Sequence, residues 1–231
     1  EMLVILPFEK DFYKKHQVNA HFVGHPLLDA ISDLAPIDAE NFKKEYGLND
    51  KEIIALLPGS REQEVEKMLS LMLSVRDSFK NYQFVIAGAP SLPKEFYQKF
   101  VDDDVHFVSN KTYDLLRCSK AALVTSGTAT LETALLNIPE IVCYRTSTIS
   151  YEIGKRVVKN IKFISLVNLI MDREIVKELI QKELNTENLV TELQKILEGQ
   201  KRDEMLKNYE LLREKLGGKG ASEHAAEIIV N

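Results

Sequence analysis

The alternation of short apolar runs with amphipathic helical patterns after residue 50 constrains the fold of this chain most strongly. The runs that predict strands are residues 53–57, 83–88, 105–108, 121–124, 140–144 and 162–166. They are continuous and rich in branched side chains, which is typical of parallel strands covered by helices on both faces. We therefore predict an α/β protein with a doubly wound, Rossmann-like parallel sheet. Such sheets bind ligands at the carboxyl ends of their strands.

The segments around this sheet differ in character and divide the chain into four predicted parts. Residues 1–32 open with a strand-like run, although a lone strand is a poor start for a domain. Residues 33–50 are polar and predict a linker that ends in a capping helix. We assign residues 51–200 to the Rossmann-like domain and residues 201–231 to a helical, charged C-terminal extension. We thus expect a fragment of a longer protein.

The composition excludes several classes of protein. The net charge of −5 argues against a nucleic-acid partner, which usually requires a basic excess. The apolar runs are too short to span a bilayer. Cys118 and Cys143 lack the spacing of a zinc site or a disulfide framework, and no phosphate-binding P-loop pattern is present. We expect a cytoplasmic protein that contains no metal.

The loop after the first predicted strand of the sheet, Pro58-Gly59-Ser60-Arg61, is the first candidate site. Gly59 permits a tight turn, and Ser60 followed by Gln63 matches a capping box that starts a helix. Arg61 would then lie in the first helical turn, where a positive charge opposes the helix dipole. We interpret Arg61 as a ligand for an anion. The alternative is an exposed arginine on a solvated helix start.

The fourth predicted strand runs into Thr125-Ser126-Gly127-Thr128, the second candidate site. A helix start supplies unpaired N–H groups and a partial positive charge, and small residues let a phosphate approach them. Glu132 lies one turn after Thr128 on the same helix face, where its carboxylate could accept hydrogen bonds from ribose hydroxyls. The alternative is that Ser126 or Thr128 only caps the helix and that Glu132 is solvated.

Four other features are weaker candidates. Arg145 follows the fifth predicted strand and would face the same crevice, although a surface arginine fits equally well. Asn168 follows the sixth predicted strand and either contacts a base or diphosphate, or only ends the strand. His25 has no nearby partner at metal-ligand spacing and is interpreted as structural, with a role in a site as the alternative. Residues 151–162 form a basic amphipathic pattern that would either touch anionic lipid or be solvated on one side.

Five segments of the chain are informative together, namely "ILPFEKDFY", "FVGHPLLDAI", "LLPGSREQEV", "SGTATLE" and "FISLVNLIMDREIVKELIQ". In their sequence and order they resemble the lipid-A-disaccharide synthases, which form glycosyltransferase family 19. The resemblance extends from residue 2 to about residue 197. It implies a two-domain GT-B enzyme that transfers 2,3-diacylglucosamine from its UDP derivative to 2,3-diacylglucosamine 1-phosphate and releases UDP. It also implies a peripheral location on the cytoplasmic face of a Gram-negative inner membrane.

The resemblance assigns roles to the candidate residues. The implied UDP-binding set is Gly59, Ser60, Arg61, Ser126, Gly127, Thr128, Glu132, Arg145 and Asn168. Glu132 would bind the ribose, Asn168 would lie near the uridine, and Arg61 would stabilise the leaving diphosphate, with no cofactor and no metal. The resemblance also implies that residues 1–32 are the remnant of an N-terminal acceptor domain, and that the catalytic base is an aspartate in the part of that domain that precedes this region. The chain departs from the family pattern at Val167, where proline is usual, and near Asp172.

Two other functions stay open at this level. UDP-N-acetylglucosamine 2-epimerases use the same two-domain plan, with a helix start for phosphates and a glutamate for ribose. The chain could also be a nucleotide-binding module without activity of its own. Without the preceding domain we expect UDP binding but no sugar transfer. Apolar surface exposed by the missing domain would favour a homodimer.

Overall fold

The computed structural model describes residues 2–102, 105–146 and 162–230. The strands of the described chain are β1 (Met2–Val4), β2 (Ala20–Phe22), β3 (Glu52–Leu57), β4 (Tyr82–Gly88), β5 (Val105–Ser109), β6 (Ser119–Thr125), β7 (Glu140–Tyr144) and β8 (Lys177–Ile180). Its helices are α1 (Glu9–Lys15), α2 (Pro26–Ser32), α3 (Ala39–Glu45), α4 (Glu62–Leu73), α5 (Lys94–Gln98), α6 (Thr112–Arg117), α7 (Thr128–Leu135), α8 (Leu166–Met171), α9 (Thr186–Leu197), α10 (Gln200–Lys215) and α11 (Ala221–Val230). None of these helices is long and apolar enough to cross a bilayer.

Strands β3 to β8 form one sheet in the order β5-β4-β3-β6-β7-β8, and every neighbouring pair is parallel. From β3 the chain moves outward to β4 and β5, and it then returns to the other side of β3 at β6. This is the strand order of the doubly wound dinucleotide-binding fold, so the predicted fold class is confirmed. The reversal of direction lies between β3 and β6, where a crevice is expected at the carboxyl edge.

Two apolar clusters cover the two faces of this sheet, because successive side chains of a strand point to opposite faces. Ile54 and Leu56 of β3 belong to a large cluster that includes the buried face of α4. Ile53 and Ala55 belong to a second cluster, together with Phe42 of α3. The capping helix predicted within residues 33–50 is therefore present as α3, and it packs against the central sheet.

The sixth strand of the sheet is not the one predicted. Residues 162–166 do not form a strand, because Ser165 caps helix α8 by accepting a hydrogen bond from the backbone N–H of Asn168. The sixth strand is instead β8, which lies where the sequence analysis predicted no strand. Among the described residues it forms one edge of the sheet and pairs only with β7. Its charged residues, Lys177 and Glu178, mask the pattern of a buried strand.

The two ends of the chain pack against each other. Strands β1 and β2 pair in parallel in a separate small sheet, and α1 connects them. Helix α11 packs against α2, where the Asp29 carboxylate accepts hydrogen bonds from the backbone N–H groups of Gly220 and Ser222, at 2.6 and 3.1 Å. These bonds satisfy the start of α11, so the C-terminal extension is fixed to the N-terminal segment.

Candidate functional site

A cavity of about 370 Å³ opens at the carboxyl ends of β3, β4 and β6, where the strand order reverses. Six residues that the sequence analysis assigned to nucleotide binding line this cavity: Gly59, Ser60, Ser126, Gly127, Thr128 and Glu132. Its other lining residues are Leu57, Glu64, Ala87, Gly88, Ala89, Pro90, Thr112, Thr125 and Ala129. The two loops that the sequence singled out thus meet in one place. Arg61, Arg145 and Asn168 are not among the lining residues.

The loop after β3 turns at Gly59, whose φ of +110° lies in a region that side chains disfavour. The predicted capping box of Ser60 and Gln63 is wrong. Helix α4 begins at Glu62, and Glu64 reaches back instead, so that its Oε2 accepts a hydrogen bond from the Ser60 N–H at 3.3 Å. Arg61 precedes the helix as its N-cap residue, makes no side-chain capping bond, and is exposed next to Ser60.

The loop after β6 leaves the start of α7 without a side-chain cap. Gly127 is the N-cap residue, and neither Ser126 nor Thr128 makes a capping bond. The Ser126 hydroxyl donates instead to the carbonyl of Ile164 at 3.1 Å. A Cβ added to Gly127 would meet no atom of the described residues within 4 Å, so none of them covers this helix start. The arrangement suits an anion, since the first N–H groups of a helix have no partner within the helix.

Glu132 brings a carboxylate to the same cavity, one turn along α7. Its Oε1 accepts a hydrogen bond from the Tyr113 hydroxyl at 2.8 Å. Burial of Tyr113, together with its bond to Glu132, raises the pKa of the phenol well above its usual value. The Tyr113 hydroxyl therefore keeps the proton that it donates, and this hydrogen bond holds the Glu132 carboxylate in place. The sequence analysis missed Tyr113, because no local motif joins it to the second loop.

The loop after β4 forms the third side of the cavity and was also missed. The backbone N–H of Ala89 donates to the hydroxyl of the buried Tyr97 at 3.0 Å, which orients the loop. Gly88 allows the Phe107 ring to lie against the strand end, because a Cβ there would collide with that ring. The run of small residues Ala87-Gly88-Ala89-Pro90 after an apolar strand was the available signal.

Asn168 is a correction to the predicted nucleotide set. It lies on α8 and is 0% exposed, and its side-chain amide makes hydrogen bonds to other residues of the chain. Its Oδ1 accepts from the N–H groups of Ile175 and Val176, while its Nδ2 donates to the Val176 carbonyl and to Glu178. All four hydrogen-bonding positions of the amide are thus occupied, and the side chain holds α8 against β8.

The remaining predicted residues lie away from the cavity lining. Arg145 is exposed just after β7, and residues 151–161 of the basic amphipathic pattern lie outside the described residues. His25 caps α2 through Nδ1, which accepts from the Leu27 N–H at 3.2 Å, and burial lowers the pKa of its ring, as expected for a structural histidine. Val167 is buried, and Asp172 ends α8 in the left-handed conformation at a φ of +51°.

The site therefore combines the uncapped backbone N–H groups at the start of α7 with the carboxylates of Glu132 and Glu64, each held by a hydrogen bond. The N–H groups suit an anion, and the Glu132 carboxylate suits neighbouring hydroxyl groups. Within residues 2–102, 105–146 and 162–230, no three His, Cys, Asp or Glu side chains come together in a group that could hold a metal ion. Cys118 and Cys143 are both free thiols.

A family model and individual relatives of this chain both point to the same protein family. The chain matches the family described as "Lipid-A-disaccharide synthetase" over residues 1–230. It is 36% identical over 238 residues to the lipid-A-disaccharide synthase of Myxococcus xanthus (strain DK1622), covering 99% of this chain and 61% of that protein. It is 38% identical over 235 residues to the synthase of Syntrophus aciditrophicus (strain SB), covering 97% and 61%. The chain thus spans about 61% of the length of these relatives.

Among solved structures, the chain is similar to the UDP-GlcNAc 2-epimerase of Neisseria meningitidis, which was solved bound to UDP-GlcNAc. The TM-score is 0.67 at 16% sequence identity, and the match covers 99% of this chain and 60% of that chain. At this identity the likeness concerns the fold alone. It agrees with the doubly wound sheet and with the strand order described above.

Proposed function

This chain belongs to the lipid-A-disaccharide synthase family, and we propose that its cavity at the ends of β3, β4 and β6 binds the UDP part of a nucleotide-sugar donor. The observation that carries the proposal is that an uncapped helix start and the Glu132 carboxylate line one cavity. The N–H groups around Gly127 and Thr128 suit the diphosphate, and Glu132 suits the ribose hydroxyls. The cavity volume lies within the range of about 300–1,000 Å³ that is usual for small-molecule sites.

For the longer protein we propose the reaction of the family. It would transfer 2,3-diacylglucosamine from its UDP derivative to 2,3-diacylglucosamine 1-phosphate, with inversion, and release UDP. Since both sugars carry acyl chains, we place the reaction at the cytoplasmic face of the inner membrane of a Gram-negative bacterium, with the protein peripheral to that surface.

The chemistry assigns separate tasks to the two halves of such an enzyme. A base must deprotonate the acceptor hydroxyl, and we assign it to a part of the longer protein outside this chain. Negative charge develops on the departing diphosphate, so donors fixed at that place act preferentially in the transition state. We assign this task to the start of α7 and to Arg61, which follows the cavity residue Ser60 and can bind phosphate oxygens in a bidentate manner. We propose that these donors act without a metal ion.

Two further parts of the proposal concern the surface of this chain. Large apolar side chains are exposed in the N-terminal segment, at Met2, Ile5, Phe8, Phe12 and Val18. Exposed apolar surface favours association, and a homodimer is the simplest form of it. For the chain alone we propose UDP binding without sugar transfer, since it spans about 61% of its relatives' length.

The epimerase reading is the nearest alternative, because a UDP-GlcNAc 2-epimerase has the same fold. Family membership over residues 1–230 favours the transferase, whereas the likeness to the epimerase does not extend beyond the fold. Release of free UDP only when an acylated acceptor is present would identify a transferase. Interconversion of UDP-sugar epimers by the longer protein would identify the isomerase.

Calorimetric titration with UDP tests the proposed site. We expect UDP to bind the chain, and we expect Glu132→Ala and Arg61→Ala each to weaken binding about tenfold, the scale of a lost charge-assisted hydrogen bond. Lys67→Ala is the matched control, because Lys67 is an exposed cation on the same helix, α4, outside the cavity. If all variants bound UDP equally, the cavity would not be the nucleotide site. If UDP did not bind at all, the proposal for this chain would fail.

A further inference from the structure

We propose that Tyr113 is a positioning residue for nucleotide recognition, which fixes the Glu132 carboxylate so that the ribose hydroxyls meet a pre-oriented acceptor. This inference rests on the proposed function, because it concerns the ribose end of the proposed UDP site. Tyr113 does not line the cavity itself, so its effect on the ligand passes through Glu132.

The two residues come from separate parts of the fold. Tyr113 lies on α6, the helix that follows β5, whereas Glu132 lies on α7, the helix that follows β6. They are 19 residues apart in sequence, and the 2.8 Å bond between the phenol and Oε1 joins the two helices. An unsupported glutamate on a helix surface moves among several rotamers, and binding then requires one of them to be selected. The bond to Tyr113 selects one before the ligand arrives.

The hydrogen bond also gives the two oxygens of the Glu132 carboxylate different surroundings. Oε1 accepts from the Tyr113 hydroxyl, while Oε2 has no hydrogen-bond donor in the part of the chain that the structure describes. A carboxylate has about four lone-pair directions, so it can accept from Tyr113 and from ribose hydroxyls together. The Tyr113 phenol keeps its proton at physiological pH, since burial and the bond to Glu132 raise a pKa that is ordinarily already high, and its hydroxyl can therefore donate to Oε1.

The rival interpretation is that the bond only ties α6 to α7. Tyr113 is half-buried, and its neighbours Leu115 and Leu116 belong to the core, so it could stabilise the fold without influencing the ligand. The two interpretations differ in one measurable quantity. A structural bond would change the unfolding free energy alone, whereas a positioning bond also changes the preference for a ligand that carries ribose hydroxyls.

The test is a titration of the chain with UDP and with 2′,3′-dideoxy-UDP, which lacks both hydroxyls. The variants are Tyr113→Phe and Glu132→Gln. The matched control is Tyr82→Phe, because the half-buried Tyr82 lies at the amino end of β4, whereas the cavity lies at the carboxyl end of this strand. We expect the unmodified chain to prefer UDP by about tenfold. We expect Glu132→Gln to lose most of this preference and Tyr113→Phe to reduce it to about threefold. Tyr82→Phe should retain it.

The outcomes separate the inference from the proposed function. If Glu132→Gln lowered the preference but Tyr113→Phe left it unchanged, the positioning role would be overturned and the ribose assignment would stand. If Glu132→Gln also left the preference unchanged, or if UDP did not bind, the ribose assignment itself would fail. Circular dichroism melts of each variant show whether it is folded. If Tyr113→Phe did not fold, Tyr113→His, which retains a donor, should restore the preference, and failure to do so would count against the role.

Discussion

Asn168 donates a hydrogen bond from Nδ2 to the Glu178 carboxylate at 2.8 Å, and both side chains are buried. Glu178 also accepts from the N–H and the hydroxyl of Ser165, at 3.0 and 2.8 Å, and from the N–H of Ile164 at 2.9 Å. These bonds join α8 to β8. Because the Ser126 hydroxyl donates to the Ile164 carbonyl, the same network reaches the loop that lines the cavity.

Asn168→Ala is expected to destabilise the chain by about 3 kcal/mol, because it leaves several buried polar groups without partners. The backbone N–H groups of Ile175 and Val176 lose their acceptor, at 2.7 and 3.0 Å in the native structure. Urea unfolding followed by circular dichroism measures the effect. The matched control is Asn208→Ala, which removes an exposed bond to Arg173 and should cost less than about 1 kcal/mol. Equal losses for both variants would contradict a structural role for Asn168.

Gly88→Ala is expected to destabilise the chain by about 2 kcal/mol through overpacking. A Cβ at this position would collide with Cε2 and Cζ of Phe107, and the ring is held by its packing against Tyr97, with 4.8 Å between centroids. Thermal unfolding measures the effect, and Gly88→Ala combined with Phe107→Leu should recover most of the loss. Gly127→Ala is the control for stability, because a Cβ there would meet no atom within 4 Å in the part of the chain that the structure describes. A double variant as unstable as the single one would show that the cost is not steric.

Glu140 is expected to make stability fall as the pH rises. The side chain is 0% exposed, neither oxygen has a hydrogen-bond partner among the described residues, and burial and the nearby Glu178 raise its pKa well above the ordinary value of 4.5. Below that value the carboxyl is protonated in both states. As the pH rises further, the unfolded chain loses this proton first, so the folded state is progressively penalised until its own pKa is passed.

Glu140→Gln should remove this pH dependence, because the amide does not titrate. Urea unfolding between about pH 5 and 8 should show the variant gaining on the unmodified chain by up to about 1.4 kcal/mol per pH unit, the limit for one titrating group. Glu187→Gln, at an exposed position of α9, serves as control and should show no such trend. Parallel stability curves for Glu140→Gln and the unmodified chain would refute a neutral, buried Glu140.

The sequence predicts β3 to β7 well, because each contains an apolar run of strand length, and β3, β4, β6 and β7 are buried over most of their length. It fails at the sixth strand for a physical reason. Residues 162–166 have strand-like composition, but the Ser165 side chain satisfies a backbone N–H and starts a helix. The true strand, β8, carries a glutamate whose burial depends on hydrogen bonds to Ile164, Ser165 and Asn168. Hydrogen bonds from residues 10 to 14 positions away offset the burial of this carboxylate, and they leave no periodic pattern of apolar residues in the sequence.

The candidate site also contains residues that the sequence predicts and residues that it does not. Gly59, Ser60, Ser126, Gly127 and Glu132 belong to motifs that follow strands, and the structure brings them together. The loop after β4 offers only a run of small residues as a signal, and it reaches the cavity because β4 lies next to β3 in the sheet. Strand order is a property of the whole domain, so a local reading of the sequence misses this third side.

Glu64 places a second carboxylate in the cavity, where it accepts from the Ser60 N–H that a diphosphate would also need. Two negative charges in one partly desolvated site repel each other. We therefore expect Glu64→Gln to bind UDP about fivefold more tightly, and uridine with unchanged affinity, since uridine carries no phosphate. Calorimetric titration with both ligands measures the difference. Glu66→Gln is the control, because Glu66 lies on the same helix, pairs with Lys99 and is exposed. Weaker UDP binding by Glu64→Gln would mean that this carboxylate holds the Ser60 loop in its binding conformation.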